Sequence, residues 1–212
     1  MGRLIFRYDY QVGLREKKAQ KVRRAIHDAM LTLTEREGYE AATLEQVAEQ
    51  AEVGISTVYR YFANKDAILL DPMENNLRVL ADLFRARPED EDVTVSLGWT
   101  VHATLDVGPE HMAWLRRVRA QLDRAPGPRA RLWDVVNQQR MQLEDAIAER
   151  SGRDQLWNTA AAQLTIMIVG MAYDHDRASL DHTSLDHTSP ADYADRIIAM
   201  LHGTDSPLPV RE

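Results

Sequence analysis

The sequence predicts an all-α fold in two parts: a small N-terminal three-helix bundle containing a helix-turn-helix, and a larger C-terminal helical domain. Three observations predict it. Apolar residues recur at helical spacing along the chain, and no stretch alternates convincingly at period two. The segment Thr43–Leu69 reads as two short helices around a tight turn, leading into a third. Charge is also divided unevenly. The chain of 212 residues carries net −7, yet residues 1–24 hold Arg3, Arg7, Arg15, Lys17, Lys18, Lys21, Arg23 and Arg24 against only Asp9 and Glu16, a net of +6. A basic leading segment on an acidic body suits polyanion binding at one end only; the alternative is a solvated charged helix face.

The elements follow in order. A first helix runs over about 14–37, where Val22, Ala25, Ile26, Ala29, Met30 and Leu33 make one apolar stripe and Gly38 provides the stop. Thr43 N-caps the second helix, with Gln46 completing a capping box and Leu44, Val47, Ala48 and Ala51 forming its buried face. Glu52-Val53-Gly54 interrupts the pattern, and Gly54 is expected to supply the backbone freedom of the turn. The third helix, about 55–61, exposes Ser56, Thr57, Arg60 and Tyr61. Hydroxyls and one arginine on a short helix free of carboxylates suit the DNA major groove.

A fourth helix starts near Lys65, is broken or kinked by Pro72, and continues over 73–87. After the acidic loop 88–92, helices are expected at about 92–107, 109–124, 128–150, 154–176 and 190–202. Gly108-Pro109, Pro126-Gly127-Pro128 and Ser151-Gly152 punctuate them. The boundary between the two parts is placed at 65/66.

The stretch Thr43, Val47, Ala48, Ala51, Glu52, Val53, Gly54, Ile55, Ser56, Thr57, Val58, Tyr59, Arg60, Tyr61, Phe62, Lys65, Asp66, Leu69 resembles the TetR-type one-component transcriptional regulators. It departs from that family at Glu52, where glycine is usual, at Gly54, where serine is usual and would N-cap the third helix, and at Tyr61, where histidine is common. The resemblance implies a DNA-binding domain over 1–65, a ligand-binding and dimerisation domain over 66–212, no catalytic activity and no cofactor. It sets Ile55, Ser56, Thr57, Tyr59, Arg60 and Tyr61 against DNA, with Thr43 and Lys65 on phosphates. Val58 and Phe62 are assigned to the core. Ile55 and Tyr59 share their spacing and are open to the same reading; Ile55 also suits a thymine methyl. Glu45 fits either an acceptor for cytosine or a first-turn helix glutamate. Arg85-Ala86-Arg87-Pro88 and Leu143–Gly152 are similar to the branch labelled acyl-CoA-like ligand-binding regulators.

The partners implied are a palindromic double-stranded DNA operator, a second copy of the chain and a small-molecule inducer. Leu156, Trp157, Ala160, Ala161, Leu164, Thr165, Ile168, Val169 and Ala172 make a helix apolar nearly all round, and Tyr193, Ala194, Ile197, Ile198 and Leu201 stripe the next. Such helices are buried or sit in an interface. Because the family dimerises through its last two helices, Trp157, Ala161, Leu164, Ile168, Tyr193, Ile197 and Leu201 are assigned to the dimer contact, the alternative being the core of one chain. Trp99, His102, Met112, Leu115, Trp133, Asn137, Met141, Met167 and Met171 are candidates to line an apolar or amphipathic inducer's pocket, or else are ordinary core.

Ser179–Thr183 repeats without change as Ser184–Thr188, and residues 174–188 hold three His and four Asp. Such ligands suit zinc or nickel, which leaves an all-α metal-dependent hydrolase as the second reading; a solvent-exposed duplicated loop with no metal is preferred. There is no cysteine, no phosphate-binding glycine loop, no Gly-x-Ser-x-Gly and no His-Glu-x-x-His. The absence of a leader-like run, and of any apolar run long enough to span a bilayer, leads to the expectation of a cytoplasmic protein with no membrane partner.

Overall fold

The computed structural model describes residues 14–180 and 188–203, without the side chains of 14–16 and 176–180. Among these residues every regular element is an α-helix, as expected: α1 Leu14–Glu37, α2 Leu44–Gln50, α3 Ile55–Tyr61, α4 Lys65–Arg85, α5 Val93–Leu105, α6 Pro109–Arg124, α7 Pro126–Ser151, α8 Gln155–Leu180 and α9 Pro190–His202. None of these helices is long and apolar enough to cross a membrane.

Local chemistry sets most of the ends. Gly38 stops α1 at φ 86, a left-handed conformation open to glycine. Asn64 caps α4 by accepting from the Ala67 amide at 2.9 Å. Asp92, Asp154 and Ser189 cap α5, α8 and α9 in the same manner. The segment 126–128, read as punctuation, is instead the first turn of α7. Proline at a helix start lacks only an N–H that would be unsatisfied anyway. Pro72 lies within α4, which runs through it.

Two compact units emerge. The smaller holds the described residues up to Asp71 together with Ala120–Pro128; the larger holds Pro72–Arg119 and the described residues from Arg129 on. The division falls inside α4, whose opening turns carry Ile68, Leu69 and Leu70 as buried side chains.

In the smaller unit Ile26, Met30 and Leu33 of α1, Val47 and Ala48 of α2, and Val58 and Phe62 at α3 are all buried. In the larger unit α5, α8 and α9 pack on one another. Its apolar interior falls into two clusters. One centres on Leu80, Val101, Leu105, Ile166, Val169 and Ile197; the other on Phe84, Leu97, Leu143, Ile147 and Ala162.

Arg150 closes the end of α4. Its guanidinium lies 4.7 Å over the Phe84 ring and donates to the carbonyls of Phe84, Pro88 and Glu91. It thereby ties the last turn of α4 to the loop that follows, adding a charged donor to the Phe84 and Pro88 carbonyls, which also accept from the Arg87 and Glu91 amides. Beside it, hydrogen bonds from Arg87 and Ser96 push the Glu91 carboxyl down to about 2.

Candidate nucleic-acid interface

The geometry of α2 and α3 starts at Thr43. Its hydroxyl accepts from the Gln46 amide at 3.2 Å, while the Gln46 side chain accepts from the Thr43 amide at 2.9 Å. This reciprocal capping box fixes where α2 begins.

The turn is built differently from expectation. Gly54 is extended, at φ −69 and ψ 146. The left-handed residue is Glu52, at φ 55, the single non-glycine residue of positive φ among those described. The Val53 amide donates to Ala48 O at 3.0 Å and the Glu52 amide to Glu49 O at 3.1 Å. That pair of bonds is a Schellman motif with Glu52 at the position where glycine is favoured. Gly54 then N-caps α3 with no side-chain hydrogen bond, as its sequence implied.

What α3 presents follows from which face it buries. Val58 and Phe62 point inward. Ile55 and Tyr59 are 36% and 53% exposed, so the core reading of these two does not apply. Ser56 and Arg60 are exposed as well, and Thr57 and Tyr61 half-buried. The Arg60 guanidinium stands 5.4 Å over the Tyr61 ring. Glu45 lies exposed in the first turn of α2. Lys65 is placed differently from a free phosphate donor: its ammonium donates to the carbonyls of Tyr39 and Glu40 at 3.0 and 3.2 Å and lies 4.4 Å over the Tyr39 ring.

Behind α3 stands a polar cluster that sequence reading missed. Arg23 of α1 donates through Nε to Asp71 at 2.9 Å and through a second nitrogen to the other oxygen. His27 Nε2 lies 2.9 Å from the same carboxylate. Arg23 and His27 also sit 5.0 and 5.1 Å from the Phe62 ring, which follows directly on α3. Burial raises the Asp71 carboxyl, but hydrogen bonds from His27 and Arg23 outweigh it and hold it below the ordinary aspartate value. The sequence shows Arg23 only as part of the basic leader. The signal for the cluster was Asp71 itself, a carboxylate inside the apolar run Ile68–Met73.

Two short helices joined by a tight turn, with a small polar and aromatic face on the second, form a helix-turn-helix. Residues 26–71 match the family described as bacterial regulatory proteins, tetR family. The chain is 30% identical over 152 residues to the HTH-type transcriptional regulator TcmR of Streptomyces glaucescens, covering 67% of this chain and 66% of TcmR. The chain belongs to the tetR family of bacterial regulatory proteins. A further relative is the HTH-type transcriptional repressor KstR of Rhodococcus jostii, 46% identical over 100 residues, 37% of this chain and 47% of KstR. The chain thus spans about two thirds of TcmR and about half of KstR. The fold is shared with FadR from Bacillus subtilis, solved in complex with stearoyl-CoA: 16% identity, TM-score 0.56, 84% of this chain and 96% of that one. Membership places the chain among regulators rather than hydrolases.

The remaining tetR-family expectations concern the larger unit. Of the inducer-pocket candidates, Met112 and Leu115 are buried, and Trp99 and His102 half-buried. Trp99 is covered by Arg87 at 4.4 Å, and His102 Nδ1 lies 3.1 Å from Asp195. Trp133, Asn137, Met141, Met167 and Met171 are at the surface, Trp133 at 74%. Of the dimer candidates, Ile168 and Ile197 are core; Tyr193 and Leu201 pack on one cluster, Trp157 and Ala161 on the other, and Leu164 is half-buried. The outward side of α8 carries Leu156, Ala160, Gln163, Met167 and Met171 instead. No group of three metal-ligating side chains converges among the described residues. Most of the His/Asp segment 174–188 lies outside them; His175 stacks on Tyr193 at 3.7 Å.

Proposed function

We propose that the chain is a homodimeric repressor of transcription in the cytoplasm, holding a palindromic operator through α3 and released from it by a small apolar or amphipathic molecule. The observation that carries the reading is the face of α3, where Ile55, Ser56, Tyr59 and Arg60 are exposed over a core of Val58 and Phe62. Repression is the function printed for KstR, and a bound acyl-CoA that printed for the Bacillus subtilis FadR structure; both support the reading.

In the proposed complex Ile55, Ser56, Thr57, Tyr59 and Arg60 meet base edges or the groove wall, with Tyr61 at its margin. Thr43 and Tyr59 hold phosphates. Lys65 reaches a phosphate by giving up its bonds to Tyr39 and Glu40 carbonyls. Residues 1–65 carry the DNA-binding part, and 66–212 the ligand-binding and dimerisation part. The second copy docks on the outward side of α8, at Leu156, Met167 and Met171, with Leu164 at the edge, because these large apolar side chains are exposed in one chain. Two recognition helices must then stand about 34 Å apart to read successive turns of B-DNA, and a ligand that alters this spacing releases the operator.

Linkage tests the mechanism. A coupling of about 1–3 kcal/mol shifts operator affinity roughly five- to 150-fold, and DNA must weaken the ligand by the same factor. Ligand affinity measured with and without operator is expected to differ by that factor. Equal affinities for every ligand that binds would leave a DNA-binding protein without an inducer.

A further inference from the structure

We infer that Gln139 is the residue that orients the inducer, and that the inducer is a largely apolar molecule bearing an uncharged acceptor oxygen. The inference rests on the inducer reading above. It starts from the register of three helices in the larger unit. On α5, Thr100 falls between Leu97 of one apolar cluster and Val101 of the other. On α8, Thr165 falls between Ala162 and Ile166, again one from each cluster. On α7, Gln139 falls between Leu143 of the first cluster and Val136, which packs on the second. Each helix thus carries a buried polar residue at the step between its contributions to the two clusters, and we take these three positions as a polar seam between them.

The other buried polar side chains of this unit spend their polar atoms inside the protein. Thr100, Thr104 and Thr165 donate to the carbonyls of Ser96, Thr100 and Ala161, each at 2.8 Å. Ser96 donates to Glu91. Asn158 accepts from Ser151 and donates to Arg153 O. Gln139 differs: it is 2% exposed, and its Nε2 has no hydrogen-bond partner among the described residues. Buried donors are ordinarily paired, so this amide awaits an acceptor.

The seam also restricts the acceptor's charge. Among the described residues of this unit no charged residue is fully buried, and the partly buried arginines are already engaged, Arg140 with Glu144, Arg119 with Asp174 and Arg150 with backbone carbonyls. A carboxylate or phosphate placed there would be desolvated with no cation to meet it. A ketone, ester or amide carbonyl meets the Gln139 amide at no such cost, while its hydrocarbon parts lie against the two clusters.

The test uses 2-decanone and 2-methyl-1-decene, which share a shape and differ by the acceptor. Affinities are read by tryptophan fluorescence on the full-length protein and its Gln139→Leu variant. The wild type is expected to bind the ketone at least tenfold more tightly than the alkene. The variant is expected to bind both alike, at the wild type's affinity for the alkene, and to melt at a higher temperature than the wild type when free, since the unpaired amide is gone. A ketone preference that survives in Gln139→Leu, or one absent from the wild type, overturns the inference while leaving an inducer site in place. A variant that melts lower shows that Gln139 serves packing, and overturns it too. Failure of both probes to bind either protein counts against the inducer reading, and the inference falls with it.

Discussion

Replacing Glu52 by glycine should stabilise the protein, although it deletes a charged side chain from the turn of the DNA-binding motif. Glu52 is held at φ 55 by the two amide bonds that close the α2 terminus. A residue with a Cβ in this conformation carries about 1–2 kcal/mol of strain. Glycine relieves it but loses about 0.5–1 kcal/mol more backbone entropy on folding. The Glu52 side chain is exposed, so its removal sacrifices little else. The balance is a gain of about 0.5–1 kcal/mol, or roughly 1–4 °C in the melting midpoint of a chain this long. Urea unfolding of wild type, Glu52→Gly and Glu52→Ala at fixed protein concentration separates the causes, since alanine removes the carboxylate and keeps the strain. The expected order is glycine above wild type, with alanine close to wild type. A glycine variant no more stable than wild type, or an alanine variant that gains as much, refutes the backbone argument.

Three other outcomes follow from the same physics. Arg150→Met should cost about 2–4 kcal/mol, because the carbonyls of Phe84, Pro88 and Glu91 lose a charged donor, and Arg150→Lys should not restore it; chemical denaturation checks both. The depressed Asp71 carboxyl contributes stability that is present above its unfolded value near 3.8 and is lost as pH falls through its lower folded value. Asp71→Asn should therefore be less stable at neutral pH and flatten the acid limb of the stability–pH curve below about pH 4. Met167→Glu with Met171→Glu should shift the protein to monomer in sedimentation, with helix content retained because both side chains are exposed.

The helices were legible because helical periodicity, caps and glycine stops are local signals: Thr43, Gln46 and Gly38 act within a few residues of themselves. The recognition face was legible for the same reason, since burying Val58 and Phe62 on a seven-residue helix leaves Ser56, Tyr59 and Arg60 outside. Less legible was which side of a two-sided apolar helix looks out. Helix α8 carries Ile168 and Val169 on one side and Met167 and Met171 on another. Periodicity is nearly blind when both sides are apolar, so it does not tell that Ile168 is buried within one chain while Met167 and Met171 are exposed. The Arg23–His27–Asp71 cluster was hidden because its partners lie 48 residues apart. The turn was misjudged because glycine is the usual owner of positive φ, whereas here Glu52 takes it and Gly54 is extended.

In the proposed complex α3 reads DNA sequence. Duplexes selected from a random pool by the wild-type protein, then titrated by fluorescence anisotropy at several salt concentrations against wild type and Arg60→Ala, test it most directly. The expected result is a selected palindrome bound by two chains, with affinity falling steeply with salt. Also expected is a loss of about 1–3 kcal/mol in Arg60→Ala on the selected duplex, with a smaller loss on a scrambled one. Selection that enriches no sequence, or an Arg60→Ala variant that binds selected and scrambled duplexes as wild type does, would contradict it.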